Sequence, residues 1–143
     1  MKIDVIYNYY SDDSDLRRLK SLKKLISSAK LKFEINNIIL INNSSYIYLE
    51  RDLKRLKNFA KEIILIQGTN VCHEFSGYKQ GLMESIKYDV NGALILNDTF
   101  NFPRKFFPFL QNAFFDAMQK TDCSNKVYLG EFMHLERDGH ILN

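Results

Sequence analysis

Asp98 ends an apolar run, Gly92-Ala93-Leu94-Ile95-Leu96, that leads into Asn97-Asp98-Thr99. A short apolar run closed by turn-forming residues predicts a buried strand, and this one leaves a carboxylate at its carboxyl end. In open α/β sheets, ligands bind beyond that end of the strands. A carboxylate there can hold a divalent cation against a phosphate, because Mg²⁺ is commonly bound by one or two carboxylates together with phosphate oxygens and water. Asp98 is therefore the first candidate for chemistry, with the Asn97 amide and the Thr99 hydroxyl beside it.

Three other segments carry polar groups where an apolar run stops: Tyr7-Asn8, Asn42-Asn43-Ser44, and the loop from Gly68 to Gly77, which contains Asn70, Cys72 and His73. Amides and hydroxyls suit hydrogen bonding to a base, a ribose or a sugar hydroxyl. The same residues also end strands because their side chains stabilise turns. Any one segment is explained by turn chemistry, and it is the recurrence at four strand ends that predicts a binding cleft. Familiar phosphate loops are missing. Gly68 to Gly77 is not a Gly-x-x-x-x-Gly-Lys-Ser/Thr loop, and no Gly-x-Gly-x-x-Gly turn follows the first strand. No serine sits on a Gly-x-Ser-x-Gly elbow. Phosphates, if bound, must then be held largely by a cation, with Asp98 as its best ligand. His73 can reach a diphosphate or stand as an ordinary loop histidine. His134 and His140, two histidines without a third ligand, make a poor zinc site.

The elements that must position these groups alternate. Apolar runs predict strands over Ile3–Tyr7, Ile35–Ile41, Glu62–Ile66, Ala93–Leu96 and Lys126–Met133. Helical spacing marks Leu16 to Ala29, Leu49 to Ala60, Phe75 to Ile86, and a helix with Pro103 near its start that runs to Met118. This order predicts an α/β fold with a mostly parallel, Rossmann-like sheet and helices on both faces. Arg137-Asp138-Gly139-His140 predicts a C-terminal β-hairpin, since Asp-Gly suits a type I′ turn. The 143 residues fit a single domain over 1–143. With 45% hydrophobic and 26% charged residues, global disorder is excluded. No apolar stretch approaches the roughly 20 residues needed to span a bilayer. The N-terminus reads as a strand and not as a signal peptide, so the expected location is the cytoplasm, or the inner face of a membrane. Twelve of the 20 Lys and Arg fall between Arg17 and Lys61. That asymmetry fits either the solvated faces of two helices or an anionic surface or nucleotide. Cys72 and Cys123 lack companions at metal-ligand spacing and are expected to be reduced and semi-buried.

The ordered set Val5-Ile6-Tyr7-Asn8, Ile39-Leu40-Ile41-Asn42-Asn43-Ser44-Ser45, Asn70, Glu74-Phe75-Ser76-Gly77-Tyr78-Lys79-Gln80-Gly81-Leu82 and Leu94-Ile95-Leu96-Asn97-Asp98-Thr99 resembles the N-terminal, nucleotide-sugar-binding half of a family 2-like, GT-A-fold glycosyltransferase. The similarity is greatest to the polysaccharide-synthesis type related to rhamnan synthesis proteins, and it covers most of residues 1 to 120. The resemblance implies that Tyr7, Asn8, Asn42, Asn43 and Asn70 meet the nucleotide. It also implies that Asn97, Asp98 and Thr99 stand in place of the family's Asp-x-Asp motif at the sugar and diphosphate, with Asp98 holding Mg²⁺ or Mn²⁺. Here only the middle position of that motif is a carboxylate.

The family's catalytic base follows that motif. Glu131, Glu136 and Asp138 are the acids available in the C-terminal tail beyond it, and no motif selects among them. The implied activity is transfer of a sugar from a nucleotide-diphosphate donor to a surface glycan or lipid-linked acceptor. The alternatives are a truncated, non-catalytic GT-A-like binding module and a doubly wound regulatory or interaction domain. Nucleic acid is not an expected partner. The phenylalanines between Phe100 and Phe115 exceed what one helix face needs, which leaves a patch suited to lipid or to a second copy of the chain.

Overall fold

In the computed structural model the described residues are 2–10, 22, 34–44 and 50–98. They fall within Met1–Phe106, one of two compact units of the chain, the other being Phe107–Asn143. The described elements are β1 (Lys2–Tyr9), β2 (Glu34–Asn42), α1 (Glu50–Leu56), β3 (Glu62–Gln67), α2 (His73–Ser85) and β4 (Gly92–Asn97). The strands form one sheet in the order β3-β2-β1-β4, and all three pairings are parallel. The α/β class with a mostly parallel sheet is therefore observed. The C-terminal hairpin, the helix expected around Pro103–Met118 and all but Leu22 of the helix expected over Leu16–Ala29 lie outside the described residues. So does most of what bears on helices covering both faces. No helix among the described residues is long and apolar enough to cross a membrane.

β1 and β2 are the central strands, and every residue from Ile3 to Tyr9 and from Ile35 to Ile41 is buried. Strands buried on both faces read as continuous apolar runs, not as alternating ones, which is why both were recognisable from sequence. One face of the sheet carries Ile6, Ile39 and Ile41, with Ile64, Ile66 and Ala93 packed against them. The other carries Ile3, Val5, Tyr7 and Tyr9 of β1, with Ile38 and Leu40 in register beside Val5 and Tyr7.

Two polar residues interrupt β1 on the Ile6 face, Asp4 and Asn8, and both are fully buried. Asp4 sits at an irregularity. The register between β1 and β2 shifts between Ile3 and Val5, so Asn36 and Asn37 together face Asp4. Its carboxylate supplies the acceptors that the broken ladder lacks. Asn37 N–H donates to Oδ1 at 3.0 Å, Asn36 Nδ2 reaches the same oxygen at 3.4 Å, and Ser85 Oγ donates to Oδ2 at 2.6 Å. A buried carboxylate persists only with such partners.

α2 packs across β1, β2 and β4, and the face it turns inward is its small one. A methyl added at Gly77 would collide with the Asn8 amide, and one added at Gly81 with Ile6. One turn further on, Ser85 meets Asp4. Gly77, Gly81 and Ser85 thus lie over Asn8, Ile6 and Asp4, the helix running against the strand direction. Of the apolar residues whose spacing predicted the helix, Phe75 is 76% exposed, Ile86 66% and Leu82 36%, while Tyr78 is only partly exposed. The helix expected from those residues is present, but the face it packs on the sheet is the Gly77, Gly81 and Ser85 face and not the one its larger apolar residues mark. The glycines explain why, since only a surface without Cβ atoms lets the helix approach the polar side chains of β1 this closely.

Candidate functional site

The chain builds β1, β2 and β3 outward in one direction and then returns to lay β4 on the opposite side of β1. The strand order reverses between β1 and β4, and the crevice beyond the carboxyl ends of such a pair is the usual ligand site of an open parallel sheet. Asn8 and Asn97 are register partners at that point. The ladder continues one residue past β4, where Asp98 N–H donates to Asn8 O at 3.0 Å. The Asp98 side chain then turns back, and its Oδ2 accepts from Tyr10 N–H at 3.0 Å. Asp98 therefore ties the ends of β1 and β4 together with both its backbone and its carboxylate.

Around this tie the amides form a chain across three strands. Asn43 Nδ2 donates to Asn8 Oδ1 at 2.6 Å, Asn8 Nδ2 donates to the Glu74 carbonyl at 3.2 Å, and Asn97 Nδ2 donates to Glu74 Oε1 at 3.1 Å. Glu74, in the first turn of α2, is thus held over the switch point by both its backbone and its side chain. Its carboxylate acts on two tyrosines. Tyr78, one turn along α2, is pushed up to about 12, mainly by burial and then by the Glu74 charge, while the Asn97 amide at the phenol works in the opposite sense. Tyr10 is raised as well, by burial first, with Glu74 and Asp98 adding to it and the Asn8 amide opposing. Both phenols keep their protons at neutral pH and serve as neutral donors and acceptors.

The residues expected at the site divide into three groups. Asn8, Asn43, Asn97 and Asp98 are brought together. Asn8, however, lies within β1 and not in a loop, and its amide is spent on Asn43 and Glu74. Tyr7 belongs to the opposite face of β1 and is 2% exposed. Asn42 turns its Oδ1 to the backbone N–H and hydroxyl of Ser44, at 3.0 and 2.8 Å, a side-chain-stabilised turn. Asn70 is exposed, with a φ of 50°, the left-handed backbone that asparagine tolerates better than most residues. Thr99 and the acids Glu131, Glu136 and Asp138 lie outside the described residues. Cys72 is a free, exposed thiol, not a semi-buried one.

No family model, curated protein or solved structure matches this chain. Its fold and site chemistry stand on its own residues.

Among the described residues no group of three or more His, Cys, Asp and Glu is placed to hold a metal ion. The donor set at the switch point, one Asp98 carboxylate beside an Asn97 amide, suits a hard cation only where a ligand's phosphates and water complete the shell. Glu74 and Tyr78 were not singled out as site residues from sequence. The available signal was their spacing, four residues apart on either side of Gly77, at the start of a helix that follows the third strand.

Proposed function

We propose that the chain is a nucleotide-diphospho-sugar-binding domain of glycosyltransferase type. The observation that carries this reading is the switch point itself, with Asn8, Asn97 and Asp98 meeting where the strand order reverses, beneath Glu74 and Tyr78 of α2. Amide and phenol groups of this kind suit the hydroxyls of a ribose or a sugar ring. Asp98 is the residue that would hold Mg²⁺ or Mn²⁺ shared with the diphosphate. Such a cation would offset charge on the leaving group when a sugar is transferred to a glycan or lipid-linked acceptor. Thermal-stability shifts of the full chain with UDP-, GDP- and dTDP-sugars, with and without Mn²⁺, test the reading. A shift with at least one of them is expected, and none with any of them sinks it.

A second reading, a GT-A-like module that binds without catalysing, is favoured by one contact. Tyr10 N–H occupies Asp98 Oδ2, so the one carboxylate of the motif already has a structural task. Release of nucleoside diphosphate from a bound donor in the presence of acceptor extract supports the transferase. Donor binding with no release supports the module.

A further inference from the structure

Phe75, Lys79, Leu82 and Ile86 recur at intervals of four, three and four residues, so on a helix they share one stripe about 60° wide. Phe75, Ile86 and the flanking Met83 are more than half exposed, Leu82 is exposed as well, and Val71, just before the helix, is 78% exposed. A contiguous apolar surface of this kind marks a contact, and its charges indicate with what. Lys79 is the one charged residue on the stripe, and it is exposed. The two acids of α2 are held by partners of their own: Glu74 by the Asn97 amide, Glu84 by Lys87 at 2.6 Å and by the Tyr88 phenol at 3.3 Å. The exposed Asp89 lies beyond the end of the helix. Large apolar residues around a lone lysine complement a bilayer with anionic headgroups, since the apolar groups sink in while the ammonium reaches back to the lipid phosphates. A second copy of the chain is a poorer match. Two such stripes packed about a two-fold axis would bring the two copies of Lys79, near the middle of the stripe, together. We propose that this face of α2 docks on an anionic bilayer, with Phe75, Leu82, Met83 and Ile86 entering the boundary between headgroups and acyl chains and Lys79 meeting the phosphates. Gly77 and Gly81 seat the helix closely on β1, so the stripe is presented by a fixed element. Glu74 and Phe75 are neighbours, one at the switch point and one on the stripe, and docking therefore sets the crevice beside the bilayer. That consequence, which suits a lipid-linked acceptor, rests on the nucleotide-sugar reading, whereas the docking itself does not.

The test is co-sedimentation of the full chain with large unilamellar vesicles, either phosphatidylcholine alone or equal parts of phosphatidylcholine and phosphatidylglycerol, with no nucleotide present. The proteins are the wild type, Met83→Ser combined with Ile86→Ser, and Lys79→Gln, each checked for folding by urea unfolding. The wild type is expected to bind the mixed vesicles more tightly than phosphatidylcholine alone. Removing the two apolar side chains should weaken binding to the mixed vesicles by about tenfold or more. Lys79→Gln should weaken it about fivefold, the scale of one lysine at an anionic surface, and should leave binding to phosphatidylcholine unchanged. Should the double variant fail to fold, Ile86→Ser alone must show a loss. Absence of wild-type binding to the mixed vesicles overturns the proposal. So does binding that is equal in all three proteins, which would place the contact elsewhere on the chain. A wild-type dimer in sedimentation equilibrium that dissociates in the double variant, with no vesicle binding, would assign the face to a second copy and overturn it as well. Thermal shifts with nucleotide sugars are measured without vesicles, so the docking and the nucleotide-sugar reading can each fail alone.

Discussion

The Tyr10 backbone N–H and the Asp98 carboxylate meet at 3.0 Å across the ends of β1 and β4. Since the next strand-to-strand bond in the ladder is the one from Asp98 N–H to Asn8 O, the side chain extends the sheet by one rung. Asp98→Ala removes that rung and leaves a part-buried donor, at a cost of about 1–3 kcal/mol. Asp98→Asn keeps an acceptor oxygen and should lose less than half as much. Urea unfolding gives the stabilities, and hydrogen exchange at the Tyr10 amide gives the local effect. Equal exchange rates in wild type and Asp98→Ala would show that the contact does not close this end of the sheet.

Gly77 and Gly81 allow a test of sign. In an exposed helix, replacing glycine by alanine stabilises by up to about 1 kcal/mol. Here the added methyl meets Asn8 or Ile6, and overpacking of this kind costs about 1–3 kcal/mol. Both Gly77→Ala and Gly81→Ala are expected to destabilise the protein in urea. A stabilising effect at either position would mean that α2 does not approach β1 so closely.

Asp4 and Ser85 make a buried pair at 2.6 Å. Ser85→Ala should cost about 1.5–3 kcal/mol, as expected for a hydrogen bond to a charged group. Asp4→Ala should cost more, because Asn37 N–H and the Asn36 amide lose their acceptor together with Ser85. The double variant should cost less than the two single effects added, since they share one network. Strict additivity in a double-mutant cycle would sink the account of Asp4 as the hub of the β1–β2 irregularity.

Tyr78 gives a pH dependence. Its folded-state value, about 12, lies above the ordinary tyrosine value of 10.0, so between those values the folded chain holds the proton more tightly than the unfolded chain. The contribution of Tyr78 to stability is complete below pH 10 and is lost as the pH rises toward 12. Unfolding curves should therefore weaken over that window in wild type and weaken less in Tyr78→Phe, where Tyr10 still contributes in the same sense. The difference in tyrosinate absorbance between the two proteins should appear late, near pH 12. Ionisation of the missing phenol near pH 10 would contradict the burial and the Glu74 charge assigned to it.

The sequence made the sheet legible because its central strands are buried on both faces, and a run such as Ile38-Ile39-Leu40-Ile41 has no other economical use. It was less clear where those strands stop. Tyr7-Asn8 looked like the start of a loop, since asparagine is depleted in strands, yet Asn8 lies inside β1 because Asn43 and Glu74 satisfy its amide. Those partners are 35 and 66 residues away, beyond the reach of any local pattern. The inner face of α2 was obscured for a related reason. Apolar spacing usually marks the buried side of a helix, but here polar residues of β1 required a partner without bulk. The Gly77, Gly81, Ser85 series was visible in the sequence, but its meaning depended on Asp4, Ile6 and Asn8 lying beneath it. Asp98 could be picked out from its position after a strand, whereas its bond to Tyr10 required the strand order to be known.

The fit of α2 on β1 also works as a vernier. Four residues of helix advance about 6.0 Å and two residues of parallel strand about 6.6 Å, so contacts that begin in phase at Gly77 drift by roughly half an ångström at each step. Two glycines can absorb that drift by direct contact. At the third step the contact is made between side chains, Ser85 to Asp4. The two scales can therefore be read together over only about three divisions. A residue inserted between Gly77 and Gly81 would turn the later part of the helix by about 100°, and it would carry Gly81 and Ser85 away from Ile6 and Asp4 while Glu74 keeps its place over Asn8. The length of this helix and the spacing of polar residues on β1 are in effect one measurement, taken from both sides.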